Sequence, residues 1–173
     1  MRIAAALLML LLGSASSAQA CTQTYIMFFD DGSSELTARG MLVTAEFARI
    51  FYDRRDATPA ERMLSCGPLP LGEYRVEVWA HAQDRSTQDQ CGLSRTRGEV
   101  VRARLAELGI PDGSLRVIPF GDRALLLPTQ PGETDPQNRY VSLRVFTATD
   151  PSLERRGVEQ AEVWGALAAS ACP

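Results

Sequence analysis

Hydrophobic positions along the chain follow two alternating periods, one near 2 and one near 3.6 residues. Tyr25-Ile26-Met27-Phe28-Phe29 is a short aromatic and branched run closed by Asp30-Asp31-Gly32, which predicts a buried strand and a turn. After Ser33-Ser34-Glu35-Leu36-Thr37, apolar residues recur every three or four positions. Leu42, Ala45, Ala48 and Phe51, flanked by Val43, Phe47 and Ile50, predict a helix capped by Thr37 and running to Tyr52. From Asp53 to Gly72 the period is lost among Pro59, Gly67, Pro68, Pro70 and Gly72. Such a connector is long for a small domain and carries Cys66, so it is expected to be tethered.

Glu73 to His81 then alternates. Tyr74, Val76, Val78 and Ala80 fall on one face and Arg75, Glu77, Trp79 and His81 on the other, the pattern of a half-buried strand. Beyond a polar loop, Leu93, Val100, Val101, Leu105 and Leu108 predict a second amphipathic helix, capped by Ser94 and stopped by Gly109 with Pro111 beyond. Ser114 to Phe120 reads as a third strand. A loop rich in Pro and Gly spans Gly121 to Gln137, and Val141, Leu143 and Val145 alternate with Tyr140, Ser142, Arg144 and Phe146 in a fourth. Strands alternating with helices imply parallel pairings through right-handed crossovers, hence an α/β (α+β) sandwich of a sheet and helices. Leu153, Gln160, Ala161, Trp164, Leu167 and Ala171 add a C-terminal helix reaching Cys172. The expected organisation is a domain over 21–149 and a helical extension over 150–173 packed on it.

The first 20 residues stand apart. Arg2, the apolar run Ile3 to Leu12 and the small residues ending in Ala18-Gln19-Ala20 form the three regions of a secretory signal peptide, so residues 1–20 are set outside the fold. No later segment approaches the ~20 apolar residues of a membrane span. Cys21 follows the leader, where a lipoprotein would carry its lipid anchor. Ala18 in place of the usual Leu, and an even cysteine count, favour a soluble form instead.

Composition narrows the chemistry. The chain has 173 residues, is 45% hydrophobic, and balances 18 arginines against 21 acids with no lysine, for a net charge of −3. That balance supports a packed core and lacks the basic excess of a nucleic-acid binder. A single histidine, His81, leaves no histidine-rich zinc site and one base for any Ser-His-Asp scheme, with no partner at a recognisable spacing. Four cysteines in an exported chain can close two disulfide bridges, with three pairings open. The placement of Cys21 before the first strand and Cys172 after the last helix favours a bridge between the termini, leaving Cys66 with Cys91. Asp30-Asp31, adjacent and followed by Gly32, reads as a turn rather than a metal site, so no metal or other cofactor is expected.

Several motifs at predicted element ends resemble one family. Met27-Phe28-Phe29-Asp30 with Ser33-Ser34-Glu35-Leu36-Thr37, Ala80-His81-Ala82-Gln83, Leu93-Ser94-Arg95-Thr96-Arg97-Gly98-Glu99-Val100-Val101 and Asn138-Arg139-Tyr140-Val141 occur in the order found in OmpA-like peptidoglycan-binding domains, such as those of Pal and MotB. The resemblance covers Tyr25 to Thr147. It implies a βαβαββ arrangement with a mixed four-stranded sheet and helices packed on it. It also implies a noncatalytic module gripping the diaminopimelate of the peptidoglycan stem peptide, a zwitterion, through an arginine and an acid.

On that resemblance Arg97, near the helix start at Leu93-Ser94, is the carboxylate-binding fork, and Asn138-Arg139 lies beside it. The acid is ambiguous. An ungapped alignment from His81 puts Gln83 there, and a shortened loop puts Asp84 there. Each residue also has a plainer reading: Arg97 as one half of an ion pair with Glu99 or another acid, Asn138 as a strand-entry turn, His81 as a packed strand-end residue. The resulting expectation is a periplasmic or outer-membrane-associated binding module with peptidoglycan as partner. The alternative is an OmpA-like scaffold that has lost this ligand and contacts other envelope proteins. A hydrolase built on His81 is a third reading with little support.

Overall fold

The computed structural model describes residues 25–56, 74–147 and 171–173. The expected signal peptide, Cys21, Cys66, most of the connector and most of the expected C-terminal extension lie outside them. Strand β1 (Tyr25–Phe28) leads into helix α1 (Ala38–Asp56), and β2 (Tyr74–His81) into helix α2 (Gln90–Glu107). Strands β3 (Leu115–Gly121) and β4 (Tyr140–Thr147) follow.

The sheet order is β1-β4-β2-β3. Only β2 and β3 pair in parallel; β4 lies between β1 and β2 and runs antiparallel to both. The parallel pairing read from alternating strands and helices is realised between β2 and β3, and the mixed sheet implied by the resemblance is present. The reason is topological. Crossovers through α1 and α2 keep β1, β2 and β3 pointing one way, while the last strand enters from the opposite end and fills the gap between β1 and β2.

Both helices pack on one face of the sheet. Phe47 and Phe51 of α1 and Val101 and Leu105 of α2 meet Met27, Val76, Val78, Val141 and Leu143 in a single core. Thr37 caps α1 as predicted, its Oγ1 accepting from the Gly40 N–H at 3.1 Å. The buried stripe of α1 is centred on Thr44, Phe47, Ala48 and Phe51, and Leu42 is 71% exposed. Periodicity found this helix but overestimated the width of its face. Gly98 sits where α2 crosses β2 and β3: a Cβ there would lie 2.4 Å from Val117 Cγ1 and 3.2 Å from the Ala80 Cβ. Glycine here lets α2 approach the sheet beside the β-branched Val117.

The opposite sheet face departs from the half-buried pattern. Glu77, Trp79, His81, Tyr140 and Ser142 are all buried, and Trp79, Ile118 and Phe120 form a second apolar cluster with Ala124 and Ala171 against it. Strict alternation in β2 therefore reports amphipathic side chains with polar tips, not exposure. Trp79 donates Nε1–H to Glu77 Oε2 at 2.9 Å, and the Arg144 guanidinium lies 4.2 Å from its ring centroid.

The expected cysteine pairing is corrected too. Cys91 is bonded to Cys172, with 5.7 Å between Cα atoms. Cys172 N–H also donates to the Pro119 carbonyl on the outer edge of β3 at 2.7 Å, and Arg95 and Arg123 donate to the carbonyls of Pro173 and Ala171. The C-terminus thus lies against β3 and the first turn of α2, next to Cys91.

Candidate functional site

β2 and β3 end side by side at His81 and Gly121, and their following loops open a crevice at the carboxyl ends of the two parallel strands. Gly121 has φ +57, and a Cβ there would come within 3.2 Å of the Cys91 amide and sulfur. Glycine is required by both backbone and space. Its N–H donates to Ser94 Oγ, which donates to the Cys91 carbonyl. Ser94 is consequently a buried tie between α2 and β3 and not the helix cap. The cap is Asp89, whose carboxylate accepts from the Gly92 N–H at 2.8 Å. Leu93 is half-buried in the same stretch of helix.

Arg97 and Asp84 meet beneath the crevice, both side chains 0% exposed. The fork is bidentate: Nη1 to Asp84 Oδ2 and Nη2 to Asp84 Oδ1, each 2.8 Å. The remaining donors go to backbone carbonyls, Nε to Ser33 at 2.8 Å, Nη2 to Asp30 at 2.9 Å and Nη1 to His81 at 3.4 Å. All five guanidinium N–H groups are engaged. Asp84 Oδ1 also accepts from the Gly32 N–H at 2.7 Å, made possible by the turn at Gly32 with φ +69. The pair thereby ties the β1–α1 turn to the β2–α2 loop. Of the two acids offered by the sequence, Asp84 is the one that reaches Arg97, and the solvated pairing with Glu99 is replaced by a buried one.

Gln83 has a different task. Its Nε2 donates to Thr129 Oγ1 at 2.5 Å, and its Oε1 accepts from Asp135 N–H and Asn138 Nδ2. Asn138, fully buried, also exchanges hydrogen bonds with the Leu127 backbone in both directions. Together they fold the β3–β4 loop back on β2. Arg139 reaches the Phe29 carbonyl and Asp31, on the other side of β4. Asp31 Oδ1 accepts from the Arg85 N–H as well, so Asp30-Asp31 serves the turn and its neighbours. Among the described residues there is no cluster of ligands that could hold a metal ion.

Asp84 also borders a polar groove of about 620 Å³ between the β2–α2 and β3–β4 loops. Gln83, Asp84, Arg85, Gln90, Asp122, Thr129, Glu133 and Thr134 are among its lining residues. Sequence reasoning missed Arg85, Asp122, Glu133 and Thr134, since nothing in their spacing distinguishes them from ordinary loop polar residues. Arg97, Ser94, Leu93, Asn138 and Arg139 do not line it.

His81 is held away from this groove, stacked between Phe120 and Tyr140 at centroid distances of 4.9 and 4.1 Å. That is the packed strand-end reading. Burial drives its pKa down to about 4, a hydrogen bond to the Ala124 backbone opposes the shift, and Arg144 adds to it. The folded value lies below the unfolded one, so the unfolded chain takes up its proton first. Stability is full above pH ~6.5 and falls by about 3 kcal/mol as pH drops through 4. Urea denaturation at pH 7 and pH 4.5 should show this loss in the wild type and a shallower one in His81→Phe; equal slopes would refute it.

Among the described residues no helix is long and apolar enough to cross a membrane. No protein-family model matches the chain. An outer membrane protein of Gluconacetobacter diazotrophicus is 31% identical over 121 residues, 70% of this chain but 29% of that protein. The chain thus spans less than a third of that relative. Among solved structures, the OmpA-like domain of FopA1 from Francisella tularensis superposes with a TM-score of 0.52 at 20% identity, covering 72% of each chain. The peptidoglycan-associated lipoprotein of Burkholderia pseudomallei gives 0.54 at 17% identity, covering 78% of this chain and 98% of that one. The C-terminal domain of Helicobacter pylori MotB gives 0.54 at 17% identity, covering 81% and 96%. Strand order, helix placement and these superpositions agree: the chain has the fold of the OmpA-like domains, as its element-end motifs imply.

Proposed function

We propose that this chain is a noncatalytic cell-envelope module that binds peptidoglycan through the groove at the ends of β2 and β3, recognising the zwitterionic diaminopimelate of the stem peptide. The observation that carries the reading is a polar groove lined by Asp84, the acid held by Arg97 in a buried bidentate pair, in a fold shared with a peptidoglycan-associated lipoprotein. Similarity to an outer membrane protein and to MotB, whose solved fragments include its periplasmic domain, supports a place in the envelope. On this reading residues 1–20 direct export, the domain over 21–149 works in the periplasm or against the outer membrane, and residues 150–173 pack on it. Catalysis has no part in it, since His81 is buried between two rings and away from the groove.

A second reading rests on a specific observation. Gln83, at the ungapped position of the family's acid, spends its amide on Thr129, Asp135 and Asn138 and offers nothing to an ammonium group. A scaffold that has exchanged ligand contacts for loop ties would bind other envelope proteins instead. Sedimentation with isolated sacculi separates the two. The purified chain should pellet with sacculi and be released by free stem peptide containing diaminopimelate; a chain that stays in the supernatant supports the scaffold reading and overturns the first.

A further inference from the structure

We infer that the charges of the ligand are read in this protein by the groove's rim, Arg85 for the carboxylate and Asp122 with Glu133 for the ammonium, while the Arg97–Asp84 pair only positions that rim. The inference rests on the peptidoglycan reading and deepens it by naming the residues that set specificity.

Valence and burial carry the argument. Arg97 has spent all five donors inside the protein, and the two oxygens of Asp84 accept three hydrogen bonds. Neither side chain has any exposed surface. A ligand carboxylate could reach that guanidinium only by displacing Asp84, leaving a buried carboxylate unpaired, which is strongly unfavourable.

Arg85 is the opposite case. It is exposed on the next position of the same loop, and its Nε donates to Thr134 Oγ1 at 2.9 Å across the groove. Its Nη1 and Nη2 have no hydrogen bond among the described residues, so a two-pronged face stays open to an anion. Its backbone N–H is fixed by Asp31, which holds the loop whatever the side chain does. Asp122, directly after β3, is exposed, with no hydrogen bond or ion pair from its carboxylate to any described residue. The Glu133 carboxylate, on the β3–β4 loop, accepts among the described residues from the Gln130 N–H alone, at 3.4 Å. One open cation and two open anions line one groove of a volume suited to a small ligand, which fits an amino acid bearing both an ammonium and a carboxylate.

The test uses the full purified chain, with isolated sacculi and a soluble diaminopimelate-containing tetrapeptide as probes, the latter also with its free ammonium acetylated. Arg85→Ala should weaken binding of the tetrapeptide at least tenfold by calorimetry while leaving the thermal midpoint unchanged. Asp122→Asn combined with Glu133→Gln should weaken binding of the free-ammonium peptide and leave that of the acetylated peptide unaltered. Wild-type binding that neither variant reduces would overturn the assignment while leaving the peptidoglycan reading intact. A wild type that binds neither probe would overturn both.

Discussion

Arg97→Ala is expected to cost about 3–5 kcal/mol of folding free energy, because it removes one member of a buried ion pair and strands the other. Asp84 would keep its carboxylate in the interior with only the Gly32 N–H to stabilise it, and the carbonyls of Asp30, Ser33 and His81 would lose their donor. The guanidinium also lies 5.1 Å from the Phe29 ring centroid, so its loss opens space beside the core. Urea denaturation of the wild type and the variant gives the number directly, and a difference below ~1 kcal/mol would contradict the account. The double change Arg97→Leu with Asp84→Asn should be less harmful than the sum of its parts, since no uncompensated charge remains. One practical result is that Arg97→Ala is a poor probe of ligand contact. Sacculus binding lost in that variant would report a loosened loop as readily as a missing contact.

Reducing the Cys91–Cys172 bond, or replacing both cysteines by serine, is expected to remove about 4 kcal/mol. The two residues are 81 apart in sequence, and a closed loop of that size restricts the unfolded chain by roughly that amount. In a domain of this length the thermal midpoint should fall by roughly 10 °C. Thermal unfolding with and without reductant, with bond loss verified by mass spectrometry, decides the matter; an unchanged midpoint would show the bridge to be dispensable. Hydrogen exchange should show the first turn of α2 opening first, because Cys91, Ser94 and Gly121 share one hydrogen-bonded knot there.

Much of this fold was legible from local chemistry. Thr37 caps its helix through a hydrogen bond that spans three residues, the kind of interaction a sequence pattern carries. The apolar alternation of β2 and β4 found the core face correctly. What failed depended on partners distant along the chain. Ser94 resembles a cap, but it is buried and bonded to Gly121, while Asp89 does the capping. Trp79 reads as solvent-facing because alternation cannot reveal what packs on a second sheet face. Cysteine placement suggested joining the two termini, yet proximity in space joins Cys172 to Cys91.

The candidate site divides in the same way. Arg97 and an acid beside Gln83 were found from motifs, and the structure chose Asp84 by geometry. Arg85, Asp122 and Glu133 were invisible because a loop's open charges carry no periodic signature.

The position of β4 has a consequence for how the molecule assembles. Tyr25 pairs with Leu143 and Phe28 with Tyr140, so the first strand has no hydrogen-bonded neighbour in the sheet until the last one has emerged. A chain emerging from its N-terminus would hold β1 unpaired through more than a hundred residues, and could join β1 to β2 only by inserting β4 between them. Such long-range closure is slow compared with helix formation. The α2–β2–β3 unit, with its parallel pairing close in sequence, can organise first, and β4 then acts as the keystone that joins β1 and α1 to it.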